Sequence, residues 1–166
     1  KGIEDAVNAV KEINEKEGRI VYTLDIYGQI DSEQSQWFED LKTKFPEYIK
    51  YGGLVNYDKS VDVLKNYFAL LFPTHYFTEG IPGTIIDAYA AGVPVISAKW
   101  ESFSDVINEG ITGFSYEFNN VTDLIKRLGY VANNANCITD LKLNCLEKSR
   151  YYLPCSIVKI LIEKLI

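Results

Sequence analysis

The sequence contains no methionine, a single histidine, three cysteines and five prolines among 166 residues. An opening on Lys1-Gly2-Ile3 without methionine is expected of a piece of a longer protein, because an initiator before a residue as large as Lys is normally retained. No apolar run approaches the ~20 residues that a bilayer span needs, and no signal-peptide pattern opens the chain. Basic blocks are missing too. Seventeen Lys and Arg against 23 Asp and Glu give a formal charge of −6. That balance argues against duplex nucleic acid or an anionic membrane as the main partner. Cys137, Cys145 and Cys155 are odd in number and form no CxxC. They are expected to be structural thiols in a reducing compartment, not a disulfide framework or a zinc site.

What is present is the composition of one soluble globular domain, residues 1–166, at 47% hydrophobic and 24% charged. Apolar periodicity alternates along it. Ile3, Ala6, Val7, Val10 and Ile13 recur at helical spacing. Residues 20–27 are β-rich and end at Gly28, and Tyr48–Tyr51 predicts a short strand before Gly52-Gly53. Trp37, Phe38, Leu41 and Phe45 mark a helix between them, and Val61, Leu64 and Phe68 another, after Asp58 as a plausible cap. Ala69–Phe72 is a short, fully apolar run of the kind that forms buried parallel strands.

Pro82–Ala91 predicts a helix, with Pro in its first turn and Gly92 just past its end. Strands are expected at Val93–Ser97 and Gly113–Glu117, a short helix at Ser104–Asn108, and helix for the remainder. The series βαβαβαβαβ predicts an α/β fold, a Rossmann-like open parallel sheet with helices on both faces. In such sheets ligands sit beyond the carboxyl ends of the strands. That points to Gly28–Ser32, Gly52–Asn56, Pro73–Gly83 and Ala98–Ser102.

Residues 73–97 carry the most chemistry: a strand end, a polar loop with one carboxylate, then a helix whose first turn is Pro82-Gly83-Thr84. Gly80 and Gly83 have no Cβ, so a ligand can approach their backbone amides. Free amides and the positive end of a helix dipole together make a seat for a diphosphate. Glu79 and Asp87 would be repelled by phosphate and better suit sugar hydroxyls. The same residues also fit a tight turn with an acid early in a helix, worth ~0.3–1 kcal/mol.

Glu79-Gly80-Ile81-Pro82 through Asp87-Ala88-Tyr89-Ala90-Ala91-Gly92-Val93-Pro94-Val95-Ile96 resembles the E-x7-E region of retaining GT-B glycosyltransferases. The likeness is to the bacterial capsule and lipopolysaccharide branch of the glycogen-synthase-like family. Lys1-Gly2-Ile3-Glu4-Asp5-Ala6 resembles the lysine-glycine approach to the first helix of that family's C-terminal, donor-binding domain. Tyr51–Val55 is similar to its base-binding strand end, and Gly110-Ile111-Thr112-Gly113-Phe114 to its G-x-T-G-x turn. All four occur in the family's order, across the whole chain.

The resemblance implies the C-terminal half of a GT-B fold, binding a nucleotide-diphosphate sugar. Glu79 would hold donor-sugar hydroxyls, Asp87 the ribose, and the segment Gly80, Ile81, Pro82, Gly83 and Thr84 the diphosphate and sugar. Lys1 would offset charge on the leaving group, so that Glu79 and Lys1 form the catalytic pair. Gly53, Leu54 and Val55 would present backbone to the base, and Gly28 would face the phosphate. The chain departs from the family pattern in three ways. Asp87 stands for the usual Glu, the loop Gly28-Gln29-Ile30-Asp31 lacks Gly-x-Gly, and the family's arginine would lie upstream of Lys1.

No Asp-x-Asp occurs, which disfavours a diphosphate held through a metal; neither metal nor other cofactor is expected. The resemblance also implies that the domain's first strand and an N-terminal acceptor domain are absent from this chain. The full enzyme would transfer sugar with retention to a glycan or lipid-linked acceptor in cell-surface polysaccharide synthesis. It would be bacterial and cytoplasmic, with peripheral attachment to the inner face of the cytoplasmic membrane as an option; the fragment alone would be inactive. A sugar-nucleotide epimerase of GT-B type and a degenerate, non-catalytic donor-binding domain stay open as alternatives. His75 fits either a donor contact or a loop role, and the apolar positions Ile157, Val158, Ile160, Leu161 and Leu165 would face the missing domain.

Overall fold

The computed structural model describes residues 1–165. The side chains of Lys159, Ile160 and Leu165, and all of Ile166, lie outside the described residues, and with them two of the expected apolar positions of the last helix. Helix α1 spans Ile3–Glu17 and buries Ala6, Val7, Ala9, Val10 and Ile13, the face that the spacing predicts. Its last buried residue, Asn14, accepts from the Val21 and Tyr22 N–H groups and donates to the Tyr22 carbonyl. Those backbone groups are thereby satisfied by a side chain instead of a ladder. Strand β1 is accordingly Leu24–Tyr27, shorter than the expected 20–27.

Helix α2, Ser35–Lys42, buries Phe38 and Leu41 but leaves Trp37 exposed and ends before Phe45. Strand β2, Ile49–Gly53, pairs with β1 in parallel. Asp58 falls inside a 3-10 turn, Tyr57–Lys59, and so does not cap the helix that follows, α3, Ser60–Leu64. Strands β3 (Leu70–Phe72), β4 (Val95–Ala98) and β5 (Gly113–Tyr116) form a second parallel ladder. Helix α4 is Gly83–Ala90; Pro82 stands just outside it with an extended backbone, ψ 123°. Helix α5, Phe103–Val106, precedes β5, and α6 (Val121–Asn133), α7 (Ala135–Ser149) and α8 (Pro154–Leu165) complete the chain.

The alternation of strand and helix is that of a Rossmann-like α/β domain. The single sheet expected from the sequence is, however, divided: β1 pairs only with β2, and β3 with β4 and then β5, among the described residues. One apolar cluster covers the first face, bringing Val7, Val10 and Ile13 of α1 against Ile26, Ile96, Ala98 and Phe114. A second cluster covers the other face, where Ile85, Ala88 and Tyr89 of α4 meet Val95, Trp100 and Val106. The β3–β4–β5 ladder is therefore covered on two sides, while β1 and β2 contribute only to the first cluster. The carboxyl ends of both ladders carry the loops that follow Tyr27, Gly53, Phe72 and Ala98.

Candidate donor site

The turn after β3 is organised by a threonine. Thr74 is buried, its hydroxyl donates to Glu79 Oε2 at 3.1 Å, and its oxygen accepts from the Tyr76 N–H at 3.1 Å. This short span of bonds holds Glu79 with its carboxylate largely covered, 17% exposed. The same oxygen, Oε2, lies 2.7 Å from Lys1 Nζ. The ammonium also sits 4.6 Å from the centroid of the Tyr76 ring, a cation–π contact. Lys1 reaches this place because Gly2 lets the chain turn with φ +73° against β3; a Cβ on Gly2 would overlap the Pro73 carbonyl oxygen. Beside it, His75 Nε2 lies 2.7 Å from Asp5 Oδ2 and ties the same turn to the first turn of α1.

Beyond Glu79 the backbone is open. A Cβ at Gly80 or at Gly83 would meet nothing within 4 Å, so no protein neighbour fills the space in front of them. The N–H groups of Gly80, Ile81, Gly83 and Thr84 make no hydrogen bond among the described residues, while Ile85 and Ile86 both donate to the Pro82 carbonyl. Pro82 carries no N–H. The Ile81 side chain is 60% exposed. The turn thus presents unpaired donors at the positive end of α4, next to one lysine and one carboxylate.

Asp87 lies on α4 and accepts a 2.6 Å hydrogen bond at Oδ2 from Ser60 Oγ, at the start of α3. Gly28 and Gly53 meet each other through a 3.0 Å bond from the Gly28 N–H to the Gly53 carbonyl, and Tyr51 donates to the Gly28 carbonyl. Gly52 supports them by its size, since a Cβ there would strike the Tyr27 ring. Leu54 is exposed and Val55 half-buried. The structure therefore brings Lys1 and Glu79 into contact, and Gly28 and Gly53 into contact. No hydrogen bond or ion pair among the described residues joins these two groups directly.

Two residues of the loop after β4, Lys99 and Trp100, make contacts of their own. Lys99 pairs with Glu117 at 2.7 Å, a bond that raises its pKa above the usual lysine value. Trp100 is buried against Phe72 and Phe103, and its indole N–H has no partner among the described residues. Four contributors escape the sequence patterns: Thr74, Tyr76, Asp5 and Ser60. Thr74 alone left a trace, as a hydroxyl placed directly after the Phe72-Pro73 strand end.

A family model described as "Glycosyl transferases group 1" matches residues 1–148. The chain belongs to the group 1 glycosyl transferases. A comparison with curated protein sequences gives no match. Among solved structures, this group 1 domain is similar to the Anabaena protein HepE, solved in complex with UDP, with TM-score 0.83 and 15% identity over 99% of this chain and 45% of that one. It is similar to sucrose-phosphate synthase from Thermosynechococcus elongatus, with TM-score 0.80 and 18% identity over 99% of this chain and 41% of the other. A C-terminal domain of the group 1 protein LpcC from Francisella tularensis matches with TM-score 0.75 and 15% identity, over 89% of this chain and 77% of that one. At these identities the likeness is one of fold. The chain spans less than half the length of the first two proteins. No described helix of this group 1 domain is long and apolar enough to cross a membrane.

Proposed function

We propose that this group 1 domain is the donor-binding half of a retaining glycosyl transferase of the GT-B type. The reading rests on one arrangement: Lys1 held against Glu79 at 2.7 Å, beside a turn whose Gly80, Ile81, Gly83 and Thr84 amides are unpaired. A diphosphate takes the amides and the positive end of α4. Lys1 supplies the compensating cation, so no divalent metal is needed. Glu79, paired with Lys1 and oriented by Thr74, accepts from the hydroxyls of the donor sugar. Asp87 holds the ribose from the next turn of α4, and Gly53, Leu54 and Val55 face the base, with Gly28 toward the phosphates. HepE, solved once with UDP and once with UDP and glucose, supports a uridine-type donor as the first to try.

In the complete protein the acceptor hydroxyl, carried by a glycan or lipid-linked acceptor, attacks the anomeric carbon from the face that the diphosphate leaves. The bond from that carbon to phosphate oxygen breaks, the new glycosidic bond forms, and the acceptor's proton passes to the departing phosphate oxygen. Lys1 stabilises the charge that develops there. The acceptor and part of the catalytic machinery belong to an N-terminal domain, so the fragment binds donor without transferring sugar. Synthesis of bacterial cell-surface polysaccharide, capsule or lipopolysaccharide, at the inner face of the cytoplasmic membrane, is the proposed setting.

Isothermal titration with UMP, UDP and several UDP-sugars tests this. UDP should bind more tightly than UMP, Lys1→Ala should weaken UDP and UDP-sugars alike, and Glu79→Ala should weaken UDP-sugars more than UDP. If no sugar nucleotide of any base binds, or Glu79→Ala binds UDP-sugars as the wild type does, the site is wrong.

A further inference from the structure

The turn between β3 and α4 fixes one aromatic residue at both ends of its backbone. The Tyr76 N–H donates to Thr74 Oγ1 at 3.1 Å, and the Tyr76 carbonyl accepts from the Glu79 N–H at 3.4 Å. The residues on either side are tied down as well. His75 Nε2 lies 2.7 Å from Asp5 Oδ2, and the Phe77 carbonyl accepts from the Glu101 N–H at 2.9 Å. The Tyr76 ring is nonetheless no part of the core. It is 59% exposed and joins neither apolar cluster. Among the described residues its hydroxyl has no hydrogen-bond partner and its ring pairs with no other ring, whereas Phe77 beside it packs on Phe118 at 5.3 Å. What the ring does meet is Lys1, whose Nζ stands 4.6 Å from its centroid.

Lys1 is thus held by two partners of different kinds. Glu79 Oε2 takes the ammonium at 2.7 Å and the Thr74 hydroxyl at 3.1 Å, while Oε1 has no partner among the described residues. The carboxylate orients the cation but also offsets its charge. An aromatic face attracts an ammonium through its quadrupole and carries no net charge. It therefore holds the cation and leaves its charge to act on a third group. A lysine free on a surface samples many rotamers, and fixing one of them on binding costs entropy. A lysine already seated on a ring has lost that freedom before a ligand arrives. Lys1 keeps 57% of its side chain exposed, so the seat does not close it off.

We propose, on the donor-site reading above, that Tyr76 is a positioning residue for Lys1, its ring keeping the ammonium in place as a donor diphosphate draws it away from Glu79. Binding makes opposing demands on the ion pair. The diphosphate attracts Lys1, and a carboxylate left bare beside the diphosphate repels it. With the ring against the ammonium, Lys1 turns toward the diphosphate without leaving the neighbourhood of Glu79. Its three N–H donors allow that sharing. Thr74 meanwhile keeps Oε2 where it is, and Oε1 is free to accept from a sugar hydroxyl. Tyr76 acts through Lys1 and needs no contact with the donor itself.

Isothermal titration of UDP and UMP into the wild type, Tyr76→Leu and Tyr76→Phe tests the assignment, with each change repeated in the Lys1→Ala background. Tyr76→Leu should weaken UDP by roughly two- to fivefold, the strength of an exposed cation–π contact, and weaken UMP less. Tyr76→Phe keeps the aromatic face and should bind UDP as the wild type does. In Lys1→Ala neither change should cause a further loss, because the ring then has no cation to hold. Urea midpoints should stay with the wild type, since the ring is exposed. Unchanged UDP binding in Tyr76→Leu overturns the proposal. So does an equal loss in Tyr76→Phe, which gives the role to the hydroxyl. A loss that persists in Lys1→Ala, or that follows a falling urea midpoint, gives it to the turn and overturns the proposal too. Each of these results, read beside a wild type that binds UDP, leaves the donor-site reading standing. A wild type that binds no sugar nucleotide overturns both.

Discussion

Lys1 Nζ and Glu79 Oε2 stand 2.7 Å apart across 78 positions of sequence. The contact joins the approach of α1 to the turn before α4. Lys1 is 57% exposed, so the pair adds at most about 1 kcal/mol to folding. Lys1→Ala should accordingly leave the urea midpoint nearly unchanged. Its effect should fall on binding, where it leaves a bare carboxylate beside the proposed diphosphate seat. Titration of UDP against the two proteins at low and high salt checks this, and the wild-type advantage should shrink as salt rises.

Ser60 and Asp87 form a second contact between distant elements, at 2.6 Å. A hydrogen bond to a charged group in a part-buried place contributes about 1–2 kcal/mol. Ser60→Ala should lower stability by that amount in denaturant unfolding. Asp87→Asn in the Ser60→Ala background should cost less than in the wild type, because the two changes remove one interaction. Additive losses would mean that the bond contributes nothing.

Gly2 and Gly18 flank α1 with similar backbone, φ +73° and φ +63°. A Cβ on Gly18 would meet nothing within 4 Å, whereas on Gly2 it would overlap the Pro73 carbonyl oxygen. Gly18→Ala should therefore cost about 1 kcal/mol, the strain of left-handed backbone alone. Gly2→Ala should cost clearly more and should also displace Lys1. Thermal unfolding of the two variants, with UDP titration of each, separates strain from collision.

Alkali should weaken the fold through buried Cys145 and half-buried Tyr22, among other groups. Burial raises Cys145 from 9.0 to about 12, and Tyr22, buried chiefly and lifted further by Cys137, from 10.0 to about 12. Each is neutral when protonated, and the folded state favours that form. Their contribution is complete below pH 9 and is lost as pH rises from 9 toward 12. Denaturant midpoints measured from pH 8 to 11 should fall, and less steeply in Tyr22→Phe. Thiol labelling at pH 8 should modify exposed Cys155 first and Cys145 only on unfolding.

Much of this architecture was readable from residue spacing. The helical face of α1, the apolar run of β3 and the glycines around Glu79 are local patterns, set by periods of 3.6 and 2 and by side-chain size. Element ends were less readable. The first strand shrank because Asn14, seven and eight residues earlier on α1, took the backbone groups of Val21 and Tyr22, and Asp58 lost its cap role to a 3-10 turn.

By itself, the sequence determined the strand–helix alternation and the polar turn at residues 73–84. Tertiary structure alone decided that Lys1 meets Glu79, that Thr74 orients it and Ser60 binds Asp87, and that the sheet divides between β1 and β3. Those outcomes depend on chain segments tens of residues apart arriving at one place. Local propensity has no term for that encounter; packing of α1 and α4 on the strands supplies it.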